Sequence, residues 1–145
     1  LNALESEYRA KGVQFVAVNA DDSDTLIAAA SHAVKYDLAF PVVKDFGGAC
    51  AKALGATRTP EVVVLDAERR IRYRGRIDDQ FRLGGNRKEA TTHELRDALE
   101  ALLNGKEVAV RETEVDGCAI TFTKAREPRP VNFAEHVAPI LYKHC

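Results

Sequence analysis

Methionine and tryptophan are absent from this 145-residue chain, and cysteine occurs only at Cys50, Cys118 and Cys145. No two of these form Cys-x-x-Cys, and no Cys/His set has zinc spacing, which excludes a disulfide framework and a zinc cage. An excess of charge is also missing. The net charge of -1 gives nucleic acid or an anionic membrane nothing to hold. No apolar run approaches the roughly 20 residues of a membrane-spanning helix. The missing methionine includes position 1, and the chain opens on Leu1 inside a helical pattern and closes on Cys145. A fragment of a longer protein is therefore expected, and the lack of a signal segment does not argue for the cytoplasm.

Apolar residues make up 46% of the chain and charged residues 30%, the balance of a globular domain with a core. Leu1, Leu4 and Tyr8 repeat at helical spacing, and Lys11-Gly12 closes that helix. Val13 to Asn19 reads as a strand covered on both faces. Asp21 to Asp24 supply capping oxygens for a helix whose apolar face is Ile27, Ala30 and Val34. Phe40 to Val43 is extended, and a short helix near Gly48 to Leu54 stops at Gly55. Pro60 to Asp66 is a buried strand, and Ile71 to Gly75 alternates as an edge strand does. Asp78 to Ala90 is irregular around Gly84-Gly85-Asn86. Thr91 and Glu94 fit a capping box before a helix with Leu95, Ala98, Leu99 and Leu102 on one face. Strands alternating with helices imply an α/β sheet with helices on both sides.

Two segments resist a purely architectural reading. In Arg58-Thr59-Pro60-Glu61 a proline stands directly before the run Val62-Val63-Val64-Leu65-Asp66. Proline donates nothing to a ladder and is confined to strand starts, edges and bulges. It either begins the strand in trans or makes a cis Thr59–Pro60 turn. Residues 124–130 carry Pro128 and Pro130 and read as a linker, after which Phe133, Val137, Ile140 and Leu141 recur at helical spacing.

Together, Gly12-Val13-Gln14-Phe15-Val16-Ala17-Val18-Asn19, Ala53-Leu54-Gly55-Ala56, Arg58-Thr59-Pro60-Glu61 and Tyr73-Arg74-Gly75-Arg76-Ile77-Asp78-Asp79 resemble the redoxin branch of the thioredoxin-like superfamily, grouped with alkyl hydroperoxide reductase and thiol-specific antioxidant domains. The resemblance covers residues 1–123 and implies a thioredoxin-like three-layer α/β sandwich. It makes Thr59 and Pro60 a cis-proline loop that faces the reactive thiol and helps to bind the partner's backbone. It also places the central strand and the nucleophilic cysteine before Leu1, so that the fold is N-terminally truncated. A helix N-terminus lowers the pKa of such a cysteine, and none of the three present is expected in that setting. Cys50 reads as a small buried apolar residue. Cys118, in Asp116-Gly117-Cys118-Ala119-Ile120, reads either as a packing residue or as the resolving cysteine of an oxidised active site. Arg74 or Arg76 could approach the thiolate, or both could only guard an edge strand. Asp78-Asp79 caps a loop in preference to binding a cation, and no metal site is expected.

Residues 131–145, Val131 to Cys145, resemble the opening of a c-type cytochrome domain, with Cys145 as the first haem-attachment cysteine of Cys-x-x-Cys-His. The alternative is an amphipathic helix that ends in cysteine. The resemblances imply an extracytoplasmic fragment of a larger redox protein, without a cofactor of its own and with covalent haem c in the full-length chain. Its partners would be a thiol/disulfide protein or a peroxide. The reaction is that of a thiol-disulfide oxidoreductase or a thiol peroxidase, and the rival is a non-catalytic docking module beside a haem electron-transfer domain.

Overall fold

The computed structural model describes residues 1–82, 84–122 and 132–144. The first helix, α1 (Asn2–Arg9), turns Glu5 and Tyr8 inward. It leads through residues 13–16 into β1 (Ala17–Asn19), which pairs in parallel with β2 (Val42–Lys44) in the register Ala17↔Val42 to Asn19↔Lys44. The crossover between them is α2 (Leu26–Lys35), capped by the Thr25 hydroxyl, which accepts from the Ala28 N–H at 3.1 Å. A short helix, α3 (Ala49–Leu54), follows and stops at Gly55 with φ 68, the left-handed conformation that favours glycine at a helix end. Next come β3 (Arg58–Thr59), β4 (Val62–Leu65) and β5 (Ile71–Gly75). β4 and β5 pair antiparallel, with Val62 opposite Gly75 and Val64 opposite Tyr73. A small hairpin of β6 (Phe81–Arg82) and β7 (Gly85–Asn86) fills the region expected to be irregular.

The core forms where α1 and α4 (Glu94–Leu103) cover one face of β4–β5. Tyr8, Val64, Tyr73, Leu95, Ala98, Leu99 and Val108 are buried together, with Val13, Phe15 and Val62 packed against them. Leu95, Ala98 and Leu99 are the stripe read from the sequence. The opposite face of β4–β5 carries Val63 and Arg74, and Arg74 reaches the end of α3 through a 3.0 Å bond to the Gly55 carbonyl. Mixed helices and paired strands thus form an α/β fold. Tyr8 donates to Glu100 Oε1 at 2.7 Å. Burial, and then this bond, push its phenol up to about 12.

Several expectations need correction. The run from Val13 to Asn19 is not covered on both faces: Val16 and Val18 are 56% and 37% exposed while Phe15 packs inward, and only Ala17–Asn19 is strand. The reason lies in the sheet. Among the described residues β1 pairs only with β2, and no ladder joins it to β4. Ile27, Ala30 and Val34 face solvent on α2, and Ala29 is the helix's buried residue. Small alanines let that helix sit close to β2, leaving the larger apolar residues outside. The capping box at Thr91 does not form. His93 precedes α4, and Thr91 turns to Asp79 instead.

Asp79 is the polar counterpart of the core, 2% exposed. Its carboxylate accepts from the Thr91 hydroxyl and N–H, both at 2.6 Å, from the Thr92 N–H at 3.0 Å and from Arg87 at 2.6 Å. These donors, the Thr91 hydroxyl first, hold it far below the usual carboxylate range. Since the folded state depresses this pKa, the stabilisation is complete above the unfolded value of about 4 and fades as pH falls toward the folded one. Urea melts of the wild type and Asp79→Asn at about pH 7, 4 and 2.5 should show a gap that holds from 7 to 4 and narrows at 2.5. An unchanged gap at every pH would remove the carboxylate's charge from the account.

Candidate functional site

The segment from Gly55 to Val62 is shaped by its backbone hydrogen bonds. The Gly55 N–H returns to Lys52 and the Ala56 N–H to Ala51, closing α3 and sending the chain outward. Thr57, Arg58, Thr59 and Pro60 then form an exposed loop, and the Thr59–Pro60 peptide is cis. Glu61 holds this loop from beneath. Its Oε2 accepts the N–H groups of Thr57 at 2.9 Å and Arg58 at 3.1 Å, and its side chain is only 6% exposed. Arg74 Nε lies 3.7 Å from the other carboxylate oxygen. Glu61 has no assigned role in the Arg58-Thr59-Pro60-Glu61 motif. The signal available was an acidic residue at the head of a buried strand, where only a specific set of donors justifies its burial.

The outer edge of the loop is occupied. After α4, residues 111–113 run beside β5: the Arg74 N–H donates to the Arg111 carbonyl at 2.9 Å and the Thr113 N–H to the Arg74 carbonyl at 3.1 Å. The chain then crosses to the loop, where β8 (Cys118–Ala119) pairs antiparallel with β3, Thr59 opposite Cys118 and Arg58 opposite Ala119. The Ile120 N–H donates to the Thr57 carbonyl at 2.9 Å, and Arg58 Nη1 to the Gly117 carbonyl at 2.8 Å. Thr59, Pro60 and Cys118 are thus brought together, and the Cys118 thiol is free and exposed. Cys145, the haem-attachment candidate, lies outside the described residues, as does the linker at 124–130.

Cys50 is exposed rather than buried, and it stands in the first turn of α3. That position does not make it an anion site. The Asp45 carboxylate already accepts the N–H groups of Cys50 at 3.0 Å and Ala51 at 2.8 Å. The arginines considered as thiolate neighbours are also committed. Arg74 bonds Gly55 and Glu112, and Arg76 Nε bonds Glu94 at 2.9 Å. β5 is no free edge either, because residues 111–113 run along it. Asp79 closes its loop as described, and Asp78 accepts the Gln80 N–H at 3.0 Å. Among the described residues no group of three or more His, Cys, Asp or Glu side chains is placed to hold a metal ion, and no helix is long and apolar enough to cross a membrane.

Comparison with known proteins places this geometry. The Redoxin family model matches residues 1–92. The thiol-disulfide oxidoreductase ResA of Bacillus thuringiensis subsp. konkukian and that of Bacillus cereus are each 35% identical over 71 residues, 49% of this chain. The chain spans 40% of the length of those relatives. Among solved structures, a hypothetical protein from Sinorhizobium meliloti 1021 superposes with a TM-score of 0.75 at 34% identity, covering 86% of this chain and 69% of that one. An uncharacterized conserved protein from Geobacillus kaustophilus gives 0.77 at 31% identity, covering 87% and 68%.

The clamp under the loop has a direct check. A hydrogen bond to a charged group contributes about 1.5–3 kcal/mol, and Glu61→Ala removes two. Amide exchange at Thr57 and Arg58 should quicken by about tenfold or more, with the α4 amides unaffected. Unchanged exchange at both positions would mean that Glu61 does not hold the loop.

Proposed function

The chain belongs to the Redoxin family, and we propose that it is the partner-binding part of a thiol-based oxidoreductase whose nucleophilic cysteine lies outside these 145 residues. The observation that carries this reading is the free thiol of Cys118, held opposite Thr59 beside Pro60. The name carried by the ResA relatives favours disulfide exchange over peroxide reduction. In that reaction a thiolate attacks one sulfur of the partner's disulfide, the S–S bond breaks, and the partner's other sulfur leaves as a thiolate. A second thiol then displaces the partner from the mixed disulfide. The partner gains two electrons and the enzyme becomes a disulfide. In the peroxidase form, the thiolate attacks one peroxide oxygen, the O–O bond breaks, the other oxygen leaves and is protonated to water or an alcohol, and the resulting sulfenic acid condenses with a resolving thiol to a disulfide and water. Cys118 is the resolving candidate in both. Thr57 to Thr59 supply the backbone edge that orients the partner, and Glu61 keeps that edge in place.

Two features support a nucleophile on a further segment. β1 and β4 each have an edge with no ladder partner among the described residues, while Val13, Phe15 and Val62 pack on one core. A central strand between them would complete the sheet and lead to the cysteine. Moreover, the α3 amides that could stabilise an anion are taken by Asp45. The second observation also favours the alternative, a docking module without catalysis of its own.

Residues 131–145 form, in this proposal, the start of a c-type cytochrome domain after a linker at 124–130, and residues 1–123 form the redoxin unit. Asn132 caps a π-helical turn (Phe133–Val137) that passes into α5 (Ala138–His144), with Asn132 Oδ1 accepting the Ala134 N–H at 3.0 Å. Phe133, Ile140 and Leu141 are exposed along it, apolar surface that suits a following haem domain. The haem would supply one-electron transfer. The extracytoplasmic setting belongs to the same proposal and rests on the two resemblances.

With excess dithiol, the 145-residue chain should reduce a protein disulfide or a peroxide no faster than free cysteine, because no described thiol has an anion-stabilising setting. A chain that adds the residues encoded before Leu1 should turn over. Turnover by the 145-residue chain that is lost in Cys118→Ser would make Cys118 the nucleophile and overturn the proposal.

The cytochrome reading is checked separately. A chain extended past Cys145 and expressed with the haem-attachment machinery should carry covalent haem with a Soret band. If the next residues do not complete Cys-x-x-Cys-His, the reading fails.

A further inference from the structure

In the proposed function an incoming partner pairs its backbone with the edge at Thr57–Thr59. That edge is already filled by residues 117–120, which pair with it antiparallel across three positions, Thr59 to Cys118, Arg58 to Ala119 and Thr57 to Ile120. The fit is close. A Cβ at Gly117 would collide with the Thr59 carbonyl oxygen and stand 2.9 Å from its carbon, so only glycine lets the two backbones meet there. The segment is tied down at its far end as well. The Phe122 ring covers Gly48, where a Cβ would again collide, and Lys52 Nζ lies 4.8 Å above the ring. Arg58 closes the near end on the Gly117 carbonyl.

An antiparallel segment on this edge makes the backbone pairing that an extended peptide makes when it adds to a sheet edge, and it sets a cysteine opposite the residue before Pro60. We propose that residues 117–120 are a built-in occupant of the partner-binding edge, and that the protein partner which replaces them presents an extended Gly-Cys segment. This rests on the reading of the loop as the partner-binding edge. The backbone pairing provides affinity, and the contact at Gly117 provides selectivity, since a side chain before the cysteine is excluded by the Thr59 carbonyl. Being tethered, the strap competes at an effective concentration of the order of millimolar, so a weakly matched partner does not displace it.

The probe is a blocked peptide with the sequence Glu114–Phe122, used under reducing conditions. In the full chain, Ile120→Pro removes the N–H that bonds Thr57, and Gly117→Val forces the segment off Thr59. Circular dichroism and a urea melt of each variant report its fold. Both variants should bind the labelled peptide at least about tenfold more tightly than the wild type. The same peptide with valine in place of its glycine should not bind. In the unsubstituted chain, about 1 mM peptide should accelerate exchange of the Ile120 amide, a measurement independent of whether the variants fold. Equal binding by wild type and folded variants, or an Ile120 amide unaffected by bound peptide, would overturn the strap while leaving the loop as a partner edge. Absence of binding by every folded form would overturn both.

Discussion

The hydroxyl of Tyr73 is the junction on which the rest of the molecule depends. Tyr73 is fully buried, and its hydroxyl donates to the Arg76 carbonyl at 2.6 Å while Thr113 Oγ1 lies at 2.8 Å. Thr113 Oγ1 also accepts the Arg76 N–H at 3.0 Å. One polar cluster thus joins the end of β5, the turn toward α4 and the segment that returns after α4. A hydroxyl in an apolar core is costly unless its bonds are made, and here satisfying it fixes three pieces of chain at once. The Tyr73 ring meanwhile packs with Leu95, Leu99 and Val64, so hydrophobic burial and polar satisfaction select the same arrangement.

From that junction the geometry of the loop follows. Residues 111–113 are held along β5, which delivers residues 117–120 to Thr57–Thr59. Arg74 strengthens the connection from the other side. It reaches Gly55 at the end of α3, Glu112 on the returning segment and the neighbourhood of Glu61 under the loop. The loop is therefore positioned by α3, β4, β5 and the return segment together. The split between β1 and β4 is not bridged by any of these contacts, and the half of the molecule that carries Thr59, Pro60 and Cys118 is organised without it.

The elements that were legible in the sequence are those whose pattern is decided locally or by one face. Leu95, Ala98 and Leu99 recur at helical spacing, and Gly55 stops a helix. What was not legible depends on which surfaces find a neighbour. Residues 13–19 look two-sided by composition, yet only one face of that run is packed, because periodicity records how apolar a face is and not what covers it. Ile27 and Val34 mislead for the same reason. Cys50 reads as a small apolar residue until the fold sets it at a helix start whose amides Asp45 has taken. Thr91 has the spacing of a cap, but the buried Asp79 carboxylate is the stronger acceptor. The return of residues 117–120 to the loop joins partners far apart along the chain, and no local pattern announces it, whereas Glu61 binds the nearby Thr57 and Arg58 amides and is marked only by its place at the head of a strand.

The location of the apolar surface separates two modes of recognition. The open depression lined by Ile27, Ala30, Ser31, Val34 and Lys35 lies on α2, whereas the loop presents exposed Arg58, Thr59 and Pro60 and a backbone edge paired with residues 117–120. A site without an enclosing apolar pocket cannot select a partner by side-chain burial. As the partner edge proposed above, it would select by backbone pairing and by what the pairing excludes, and the close approach of Gly117 to Thr59 is the strictest exclusion on that edge. Under the proposed function, such a site would be broad in the proteins it accepts and narrow in the few positions around the sulfur. That combination suits a reaction in which the reacting group is common to every partner, a sulfur on an extended chain, while the surrounding sequence differs from one partner to the next.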